Sequence, residues 1–476
     1  MRTIDAEQIR ARIAAENGWW KERDRVHEHY DSLYPRAYLD PFMKLVEEKT
    51  VRRAIVLMGP RRVGKTVLIH HAIKKLIDIH KIDPSHLVYF SVDHPLFSSM
   101  GLEQMLQAYS DESEIDYHKE SVYAFFDEIQ YLKDWEVHLK SLSDSYPNLK
   151  LVVSGSAGAA LRLKSMESGA GRFTDFYLPP LMFSEYLHLC GDEDLVLFNE
   201  NNRDYQTRDI NRLNEQFLGY INFGGYPEAL SSEEIQADPG RYIKADIIDK
   251  VLLRDLPSLY GIGDIQDLNR LFTMLAFNTS NEISIDELSR DSGIAKNTIK
   301  KYLEYLEAAF LIKQVHRLDR TAHRFQRAAT FKVYLTNPST RAALFAPIND
   351  QHDDIGSLVE NAVFTQWFHW SGHLHYARWK TGEVDLVQLN PELKVEQAVE
   401  VKWSDRYPDH PQELKAIMSF CRANNLDQAF VTTKTILKDV VHQGLKLRFI
   451  PASLYCYGLG DILRGIFRFR HKHSLG

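Results

Sequence analysis

The chain has 476 residues, of which 44% are hydrophobic and 26% are charged. This composition is ordinary for a globular protein and excludes a fibrous, collagenous or fully disordered one, and the length predicts roughly three domains. The 58 lysines and arginines against 65 aspartates and glutamates give a net charge of −7, so any contact with nucleic acid must be local. Three widely separated cysteines match neither a disulfide framework nor a zinc site, which favours a reducing, cytoplasmic location.

Neither a signal peptide nor a membrane span is expected. The first twenty residues lack the apolar core of a secretory signal, and no run of 18 uncharged apolar residues occurs in the chain. The twenty histidines show no zinc-binding spacing, so we expect them to be packed or solvated.

A parallel sheet is predicted for the chain that follows Arg53, after a helical segment that carries Trp19 and Trp20 and is expected to pack onto it. Apolar runs that end in glycine or polar residues alternate there with stretches of helical spacing. Strands separated by helices imply a parallel sheet covered by helices. The four apolar runs are 54–59, 86–93, 121–129 and 149–156. From 181 to 275 strand patterns stop, and apolar residues at helical spacing predict a helical lid or linker.

A glycine-rich loop follows the first apolar run and opens a predicted helix. It matches the pattern G-x-x-x-x-G-K-[ST] in that context. Backbone N–H groups of such a loop bind phosphates, the lysine reaches the terminal phosphates, and the hydroxyl that follows binds Mg²⁺. The loop consists of Gly59, Pro60, Arg61, Arg62, Val63, Gly64, Lys65 and Thr66. It predicts a nucleotide site, and its spacing does not distinguish ATP from GTP.

Two acidic residues end the third run. Asp127 is expected to hold Mg²⁺ directly or through water, and Glu128 to act as the general base for the attacking water. Ser154 ends the next run, where a residue that senses the γ-phosphate belongs. The two acidic residues with the loop predict a nucleoside triphosphatase.

Three basic residues follow Ser154, and one of them could neutralise charge in the transition state, in its own chain or in a neighbour. They are Arg162, Lys164 and Arg172. We favour Arg172; a solvated surface arginine is the open alternative.

The motifs MGPRRVGKT, FFDEIQ, VVSGSA, AGRF and FGGYPEAL together resemble a large prokaryotic group of AAA-type ATPases whose C-terminal half was long labelled a domain of unknown function. The resemblance runs from about Arg53 to about Lys402. It implies ATP as the nucleotide, and the guanine-reading pattern N-K-x-D is absent. In that family a winged helix and a restriction-endonuclease-like domain follow the ATPase domain.

Residues 276–335 have the pattern of a winged helix-turn-helix. Ser284 is expected to cap a first helix, and a turn at 292–294 precedes a second helix. The predicted core is Leu288, Ile294, Ile299, Leu303 and Leu306, and the predicted DNA-contact side is Lys296, Asn297, Thr298, Lys300 and Lys301. A hairpin between 310–312 and 331–333 would be the wing.

The predicted wing is strongly basic. Between Lys313 and Lys332 six lysines or arginines against one aspartate give a net charge of +5. This favours contact with the DNA backbone. A purely structural lid or protein contact is the open alternative.

A second acidic group lies near the C-terminus. Glu360 falls in a predicted helix, Asp385 in a strand, and Glu400 and Lys402 on one face of the next strand. The spacing resembles the PD-(D/E)xK nuclease family, although the usual proline before the aspartate is absent. The resemblance implies that Asp385 and Glu400 hold a second divalent ion, that Lys402 orients water, and that Glu360 could reach the metal. A degenerate domain that binds nucleic acid or a partner is the open alternative.

The sequence thus predicts an α/β protein: a P-loop NTPase parallel sheet, a helical lid, a winged helix-turn-helix and a restriction-endonuclease-like α/β domain. The segments are 1–50 (helical), 51–180 (ATPase domain), 181–275 (lid), 276–335 (winged helix) and 336–476 (nuclease-like domain). The tail 464–472 alternates basic and aromatic residues, which favours an edge strand over a phosphate-contacting tail.

The expected function is an ATP- and Mg²⁺-dependent ATPase that acts on or near DNA, in which the nucleotide state gates the nuclease-like domain. One alternative is a nucleotide-dependent switch or scaffold that forms a homo-oligomer whose size depends on nucleotide, and whose inactive nuclease-like domain binds DNA or a protein partner. Another is a defence effector nuclease.

Overall fold

The computed structural model describes residues 6–22, 30, 32–48, 50–155, 171–201, 204–230, 232–323, 330–370 and 373–472. The chain divides into two compact units, Met1–Pro179 with Arg464–Gly476, and Pro180–Leu463. The predicted boundaries at 275 and 335 both fall inside the second unit.

The first unit contains a five-stranded sheet in which every pairing is parallel. Its strands are β1 (Ala54–Met58), β2 (Leu87–Ser91), β3 (Val122–Asp127), β4 (Leu149–Gly155) and β5 (Phe173–Tyr177), in the order β2-β3-β4-β1-β5. The four predicted strands are confirmed. The sequence pattern missed β5, whose residues are mostly half-buried rather than a continuous apolar run.

The α-helices between residues 6 and 155 pack with this sheet in the first unit, in the part of the chain that the structure describes. They are α1 (Ala6–Glu16), α2 (Leu39–Glu47), α3 (Lys65–Asp78), α4 (Leu102–Ser113) and α5 (Trp135–Ser145). The predicted packing of the N-terminal segment is confirmed, because the indole N–H groups of Trp19 and Trp20 both donate to the carbonyl of Leu87 at 3.1 and 2.9 Å. Asn17 completes this attachment through hydrogen bonds to the backbone of Tyr89.

The second unit begins with a mainly helical region. Its helices are α6 (Phe183–Cys190), α7 (Ile210–Phe223), α8 (Pro227–Leu230), α9 (Glu233–Ala237), two π-helical stretches (Gly240–Asp249 and Val251–Asp255), α10 (Leu256–Tyr260) and α11 (Ile265–Phe277). The expectation that this region has no strands was wrong, since β6 (Val196–Asn199) and β7 (Asp204–Thr207) form an antiparallel hairpin. Strands of four residues are too short to show a clear alternation in the sequence.

Two helices and three strands follow. They are β8 (Glu282–Ser284), α12 (Ile285–Ser292), α13 (Lys296–Ala308), β9 (Ile312–Leu318) and β10 (Thr330–Leu335). Ser284 caps α12 as predicted: its hydroxyl accepts from the N–H of Glu287 at 3.1 Å, and the Glu287 carboxylate accepts from the N–H of Ser284 at 3.0 Å. All five residues of the predicted small core are buried.

The C-terminal region completes a nine-stranded sheet. Its elements are α14 (Ser339–Leu344), α15 (Ile355–Trp367), β11 (His373–Trp379), β12 (Gly382–Leu389), β13 (Val395–Glu400), α16 (Lys415–Ala423), β14 (Gln428–Thr433), β15 (Lys438–His442), β16 (Leu445–Pro451) and α17 (Ala452–Lys472). The sheet order is β15-β16-β14-β13-β12-β11-β9-β10-β8. Because β9 pairs in parallel with β11, the hairpin predicted as a wing belongs to the same sheet as the C-terminal strands.

The predicted edge strand at 464–472 was wrong. These residues continue α17, whose first twelve residues are mostly buried, and the helix extends through the short alternating pattern. In the described part of the chain, no helix is long and apolar enough to cross a membrane.

Candidate functional site

The glycine-rich loop connects β1 to α3 and has the backbone that a phosphate site requires. Gly64 precedes α3 with a φ of +95°, in the left-handed region that favours glycine. At Gly59 a Cβ atom would lie 2.3 Å from the carbonyl oxygen of Leu178, so only glycine allows this close approach. The first N–H groups of α3 have no acceptor within the helix, and they carry the positive end of its dipole. The residues present therefore fit a bound polyphosphate.

Lys65 lies at the start of α3 and is almost completely buried, with 5% of its surface exposed. Its ammonium group donates to the loop carbonyls of Gly59 and Pro60 at 3.1 and 2.7 Å. The ammonium group of the predicted phosphate-binding lysine thus contacts the backbone of the predicted phosphate-binding loop.

Asp127 is the last residue of β3, and its carboxylate accepts hydrogen bonds from polar groups near the loop. Its Oδ2 accepts from the Thr66 hydroxyl at 2.6 Å, and its Oδ1 accepts from the Ser154 hydroxyl. Because the carboxyl ends of β1 and β3 lie at the same edge of the parallel sheet, with β4 between them, residues 61 positions apart come into contact here. Thr66 and Asp127, the two residues predicted to hold Mg²⁺, are therefore brought together, and a hydroxyl beside a carboxylate suits that ion.

Glu128 follows Asp127 with a φ of +55°. Its side chain is half-buried and accepts a hydrogen bond from the amide of Gln130. Its N–H donates to Asp127 Oδ1 at 3.1 Å and lies 3.4 Å from the Ser154 hydroxyl oxygen. A non-glycine residue with φ in the left-handed region carries about 1–3 kcal/mol of backbone strain, and such strain tends to occur at functional positions. The roles of Glu128 as base and of Ser154 as sensor remain predictions.

Two residues at this site were missed by sequence reasoning. The Tyr89 hydroxyl donates to Asp127 Oδ2 at 2.9 Å, and burial, with the nearby carboxylate of Asp127, raises the pKa of Tyr89 well above its usual value. Arg36 is buried and donates to the carbonyls of Val63 in the loop and of Pro179, at 2.6 and 2.9 Å. Tyr89 lies in an ordinary apolar run and Arg36 outside any motif, so neither carried a signal.

Arg172 does not reach the phosphate loop of its own chain. It lies just before β5, whose five residues run parallel to β1, so it is at the amino edge of the sheet while the loop is at the carboxyl edge. A strand of that length separates the two by roughly 16 Å. The guanidinium of Arg172 pairs with Asp144 at 2.8 Å. A role in a neighbouring subunit stays a prediction, and Arg162 and Lys164 lie outside the described residues.

The four residues of the second predicted site converge in the second unit. Lys402 Nζ lies 2.8 Å from Glu400 Oε1 and 3.7 Å from Asp385 Oδ2, which also accepts from the N–H of Val401 at 2.8 Å. Glu360 joins the group through a lysine that was not predicted to be there. The structure thus brings the four residues together in a group that also contains a residue not predicted for it.

That lysine is Lys332 on β10. Its ammonium lies 2.9 Å from Glu360 Oε1, 2.7 Å from Glu383 Oε1 and 4.0 Å from Asp385 Oδ1. Its side chain is only 3% exposed. Lys332 was counted among the basic residues of a DNA-binding wing, and that interpretation was wrong for this residue, because its charge faces buried carboxylates.

Two further basic residues of the wing are also engaged by neighbouring groups. Lys313 pairs with Glu307 at 2.6 Å, and Arg317 donates to the carbonyl of Arg378 at 2.9 Å. Arg324 and Arg327 lie outside the described residues. The local excess of positive charge in the sequence therefore overstates the charge that the described part of the hairpin offers to DNA.

The donor set of this cluster does not favour a second metal ion. Within the described ranges no group of three or more His, Cys, Asp or Glu side chains is arranged to hold one. Burial raises the pKa of Glu360 to about 7 against the opposing effect of Lys332, and burial also raises that of Glu400. Glu400 Oε2 is buried without a hydrogen-bond partner, but the neighbouring carboxylate oxygens already contact ammonium or backbone N–H groups.

The predicted DNA-contact residues lie at the start of α13. Four of them are exposed and Thr298 is half-buried; the exposed residues are Lys296, Asn297, Lys300 and Lys301. Lys296 pairs with Asp286 at 2.6 Å. The exposure agrees with a contact surface, while DNA contact itself remains a prediction.

Comparisons with known proteins bear on the first unit most directly. Residues 51–187 match the family described as AAA domain, and residues 214–352 match a domain of unknown function, DUF8612. The uncharacterized protein MJ1637 of Methanocaldococcus jannaschii is 27% identical over 334 residues, 66% of this chain and 68% of its own length. An uncharacterized protein of Haemophilus influenzae is 22% identical over 383 residues, 78% of this chain and 89% of its own.

Solved structures give a weaker likeness. C. elegans PCH-2 aligns with a TM-score of 0.28 at 15% identity, over 65% of this chain and 72% of its own. The S. cerevisiae Hsp104–ADP complex aligns with a TM-score of 0.29 at 14% identity, over 57% of this chain and 37% of its own. Because these scores are below 0.5, the assignment rests on the AAA domain match and on the geometry of the loop.

Together these two observations define an AAA-type ATPase domain with a P-loop nucleotide site. The second unit has a mixed α/β fold around its nine-stranded sheet.

Proposed function

We propose that this protein is a Mg²⁺-dependent ATP hydrolase that acts on or near DNA. The observation that carries the proposal is the contact between Thr66 and Asp127 at the mouth of a P-loop, with Glu128 next in the chain. The AAA domain match over residues 51–187 supports ATP as the nucleotide.

Each residue of the site has a distinct role in this proposal. The N–H groups of the loop and the ammonium of Lys65 bind the phosphates, and Thr66 with Asp127 holds Mg²⁺. The ion neutralises charge on the phosphate oxygens when it is bound. Glu128 orients the attacking water and accepts its proton. Ser154 and Tyr89 fix the Asp127 carboxylate through their hydroxyl groups.

The experiment is ATP turnover by the purified full-length chain with Mg²⁺. We expect Lys65→Ala to lose nucleotide binding and turnover. Glu128→Gln should retain binding but lose turnover by about a hundredfold or more, as is typical when a general base is removed. Lys133→Ala and Glu112→Gln change exposed residues of the same types and serve as matched controls. Equal turnover in all five proteins would refute the ATPase proposal.

The second unit is proposed to contact the DNA backbone through the exposed start of α13. Two lysines one helical turn apart, Lys296 and Lys300, together with Lys301 place positive charge on one side of the helix. We propose that the nucleotide state in the first unit controls this contact.

Two forms of the second unit were left open by the sequence, a live nuclease and an inactive nuclease-like domain. The ion pairs of Lys332 with Glu360 and Glu383 support the inactive form, because they occupy carboxylate oxygens that would otherwise be available to a divalent ion. The second candidate function is therefore a nucleotide-dependent switch or scaffold. It predicts slow turnover, no Mg²⁺-dependent cleavage of plasmid DNA, and an oligomer size on a sizing column that changes with an ATP analogue.

A further inference from the structure

Lys332 is the most deeply buried member of the charged cluster in the second unit. It lies on β10, next to the edge strand β8, and its side chain is 3% exposed. Moving an ammonium group out of water is strongly unfavourable unless opposite charges compensate for it. The fold must therefore supply carboxylates around Lys332, and conversely those carboxylates need a cation among them.

The groups around the Lys332 ammonium come from several elements. Glu360 on α15 and Glu383 on β12 each contribute an oxygen within 3 Å, at 2.9 and 2.7 Å, and Asp385 contributes one at 4.0 Å. The face of the Tyr376 ring on β11 lies 5.3 Å from the same nitrogen, a cation–π distance. The nitrogen thus occupies a point on which three carboxylates converge.

Each of these carboxylates also contacts a residue other than Lys332. Tyr334 on β10 donates to Glu360 Oε1 at 2.6 Å, and Arg378 on β11 lies 3.2 Å from Glu383 Oε2. Lys402 Nζ approaches Asp385 from the other side at 3.7 Å. Each carboxylate that contacts Lys332 therefore has a second hydrogen-bond or ion-pair partner.

We propose that Lys332 is a built-in cation that takes the place of a divalent metal ion among Glu360, Glu383 and Asp385. The cluster is then complete without metal and excludes one, and it fastens the β9–β10 hairpin to the C-terminal strands by charge. This inference concerns the second unit alone and holds whether or not the first unit hydrolyses ATP.

The first measurement is the number of Mn²⁺ ions bound per nucleotide-free full-length chain, obtained from the loss of the electron paramagnetic resonance signal of free Mn²⁺. The second measurement is the thermal unfolding temperature of the same protein. Lys332→Ala leaves three carboxylates without their ammonium. We expect it to bind one Mn²⁺ per chain more than the wild type. Its Tm should fall by on the order of 10 °C and recover in part with Mn²⁺ but not with NaCl of equal ionic strength. Lys313→Ala, on the same hairpin, is the matched control and should bind as the wild type does.

Further variants keep the inference open to refutation if Lys332→Ala does not fold. Lys332→Met with Glu383→Gln removes one charge of each sign; it should fold and bind no additional Mn²⁺. The single substitution Asp385→Asn, with Lys332 retained, should leave the number of bound Mn²⁺ ions the same as in the wild type. The inference is overturned if the wild type binds an Mn²⁺ ion that Asp385→Asn removes, or if folded Lys332→Ala binds no more Mn²⁺ than the wild type.

Discussion

Tyr89 donates a hydrogen bond to Asp127 at 2.9 Å, on the same carboxylate oxygen that accepts from Thr66. Tyr89 is itself held by the N-terminal segment: the Asn17 side chain accepts from its N–H at 2.7 Å and donates to its carbonyl at 2.9 Å. The position of the predicted Mg²⁺-binding carboxylate thus depends on a tyrosine from the neighbouring strand and on an asparagine 110 residues earlier in the chain.

Replacing Tyr89 by phenylalanine tests this arrangement. The variant removes one donor to a buried carboxylate while keeping the ring, and a hydrogen bond to a charged group contributes about 1.5–3 kcal/mol. We expect ATP turnover to fall about tenfold and the Mg²⁺ concentration for half-maximal turnover to rise. Steady-state turnover across a Mg²⁺ titration measures both.

The control for this variant is Tyr123→Phe, a buried tyrosine near the start of β3 and away from the loop. It should match the wild type. A Tyr89→Phe protein with an unchanged Mg²⁺ dependence would show that the hydroxyl has no part in positioning Asp127.

The first unit was largely predictable because its signals are local. A buried parallel strand such as 54–59 is a continuous apolar run, and the loop that follows it has a spacing imposed by phosphate chemistry. Arg36 and Tyr89 could not be predicted in the same way. Their roles arise from contacts across 27 and 38 residues, and no local pattern reports such a contact.

The second unit shows more clearly which contacts the sequence could not predict. The alternation around Glu400 and Lys402 placed these two side chains on one face, and their ion pair confirms it. Lys332 was misread because a basic residue in a basic segment has the pattern of a solvated surface. Its burial follows from the parallel pairing of β9 with β11, which only the tertiary fold specifies.

The buried carboxyl of Glu360 gives the second unit a specific pH dependence. Burial raises its pKa to about 7, so between its ordinary value of 4.5 and 7 the folded chain holds a proton that the unfolded chain releases. The contribution to stability is fully present below the ordinary pKa and is lost as the pH rises through about 7. Glu360→Gln has no such proton and can still accept from Lys332 and Tyr334.

We therefore expect the stability of the wild type to fall by up to about 3 kcal/mol more than that of Glu360→Gln over this range. Urea-induced unfolding at a series of pH values measures the difference. Glu413→Gln, which removes an exposed carboxyl, should keep the slope of the wild type. Parallel slopes for the wild type and Glu360→Gln would contradict the raised pKa.

The exposed start of α13 makes a quantitative prediction about DNA. If Lys300 and Lys301 each contact a phosphate, replacing both by alanine removes two released counterions. The slope of log K against log salt should then become shallower by about 1.8, and the loss of affinity should be similar for unrelated sequences. Lys296 should contribute less, because its ammonium already pairs with Asp286 at 2.6 Å.

Fluorescence anisotropy with two duplexes of unrelated sequence, at several salt concentrations, measures these slopes. Lys438→Ala with Lys446→Ala removes the same charge from β15 and β16 and should leave the slope unchanged. An equal change of slope in both double variants would mean that DNA binding depends only on the overall charge of the chain. A change on one duplex alone would indicate base contacts, because phosphate contacts carry no sequence information.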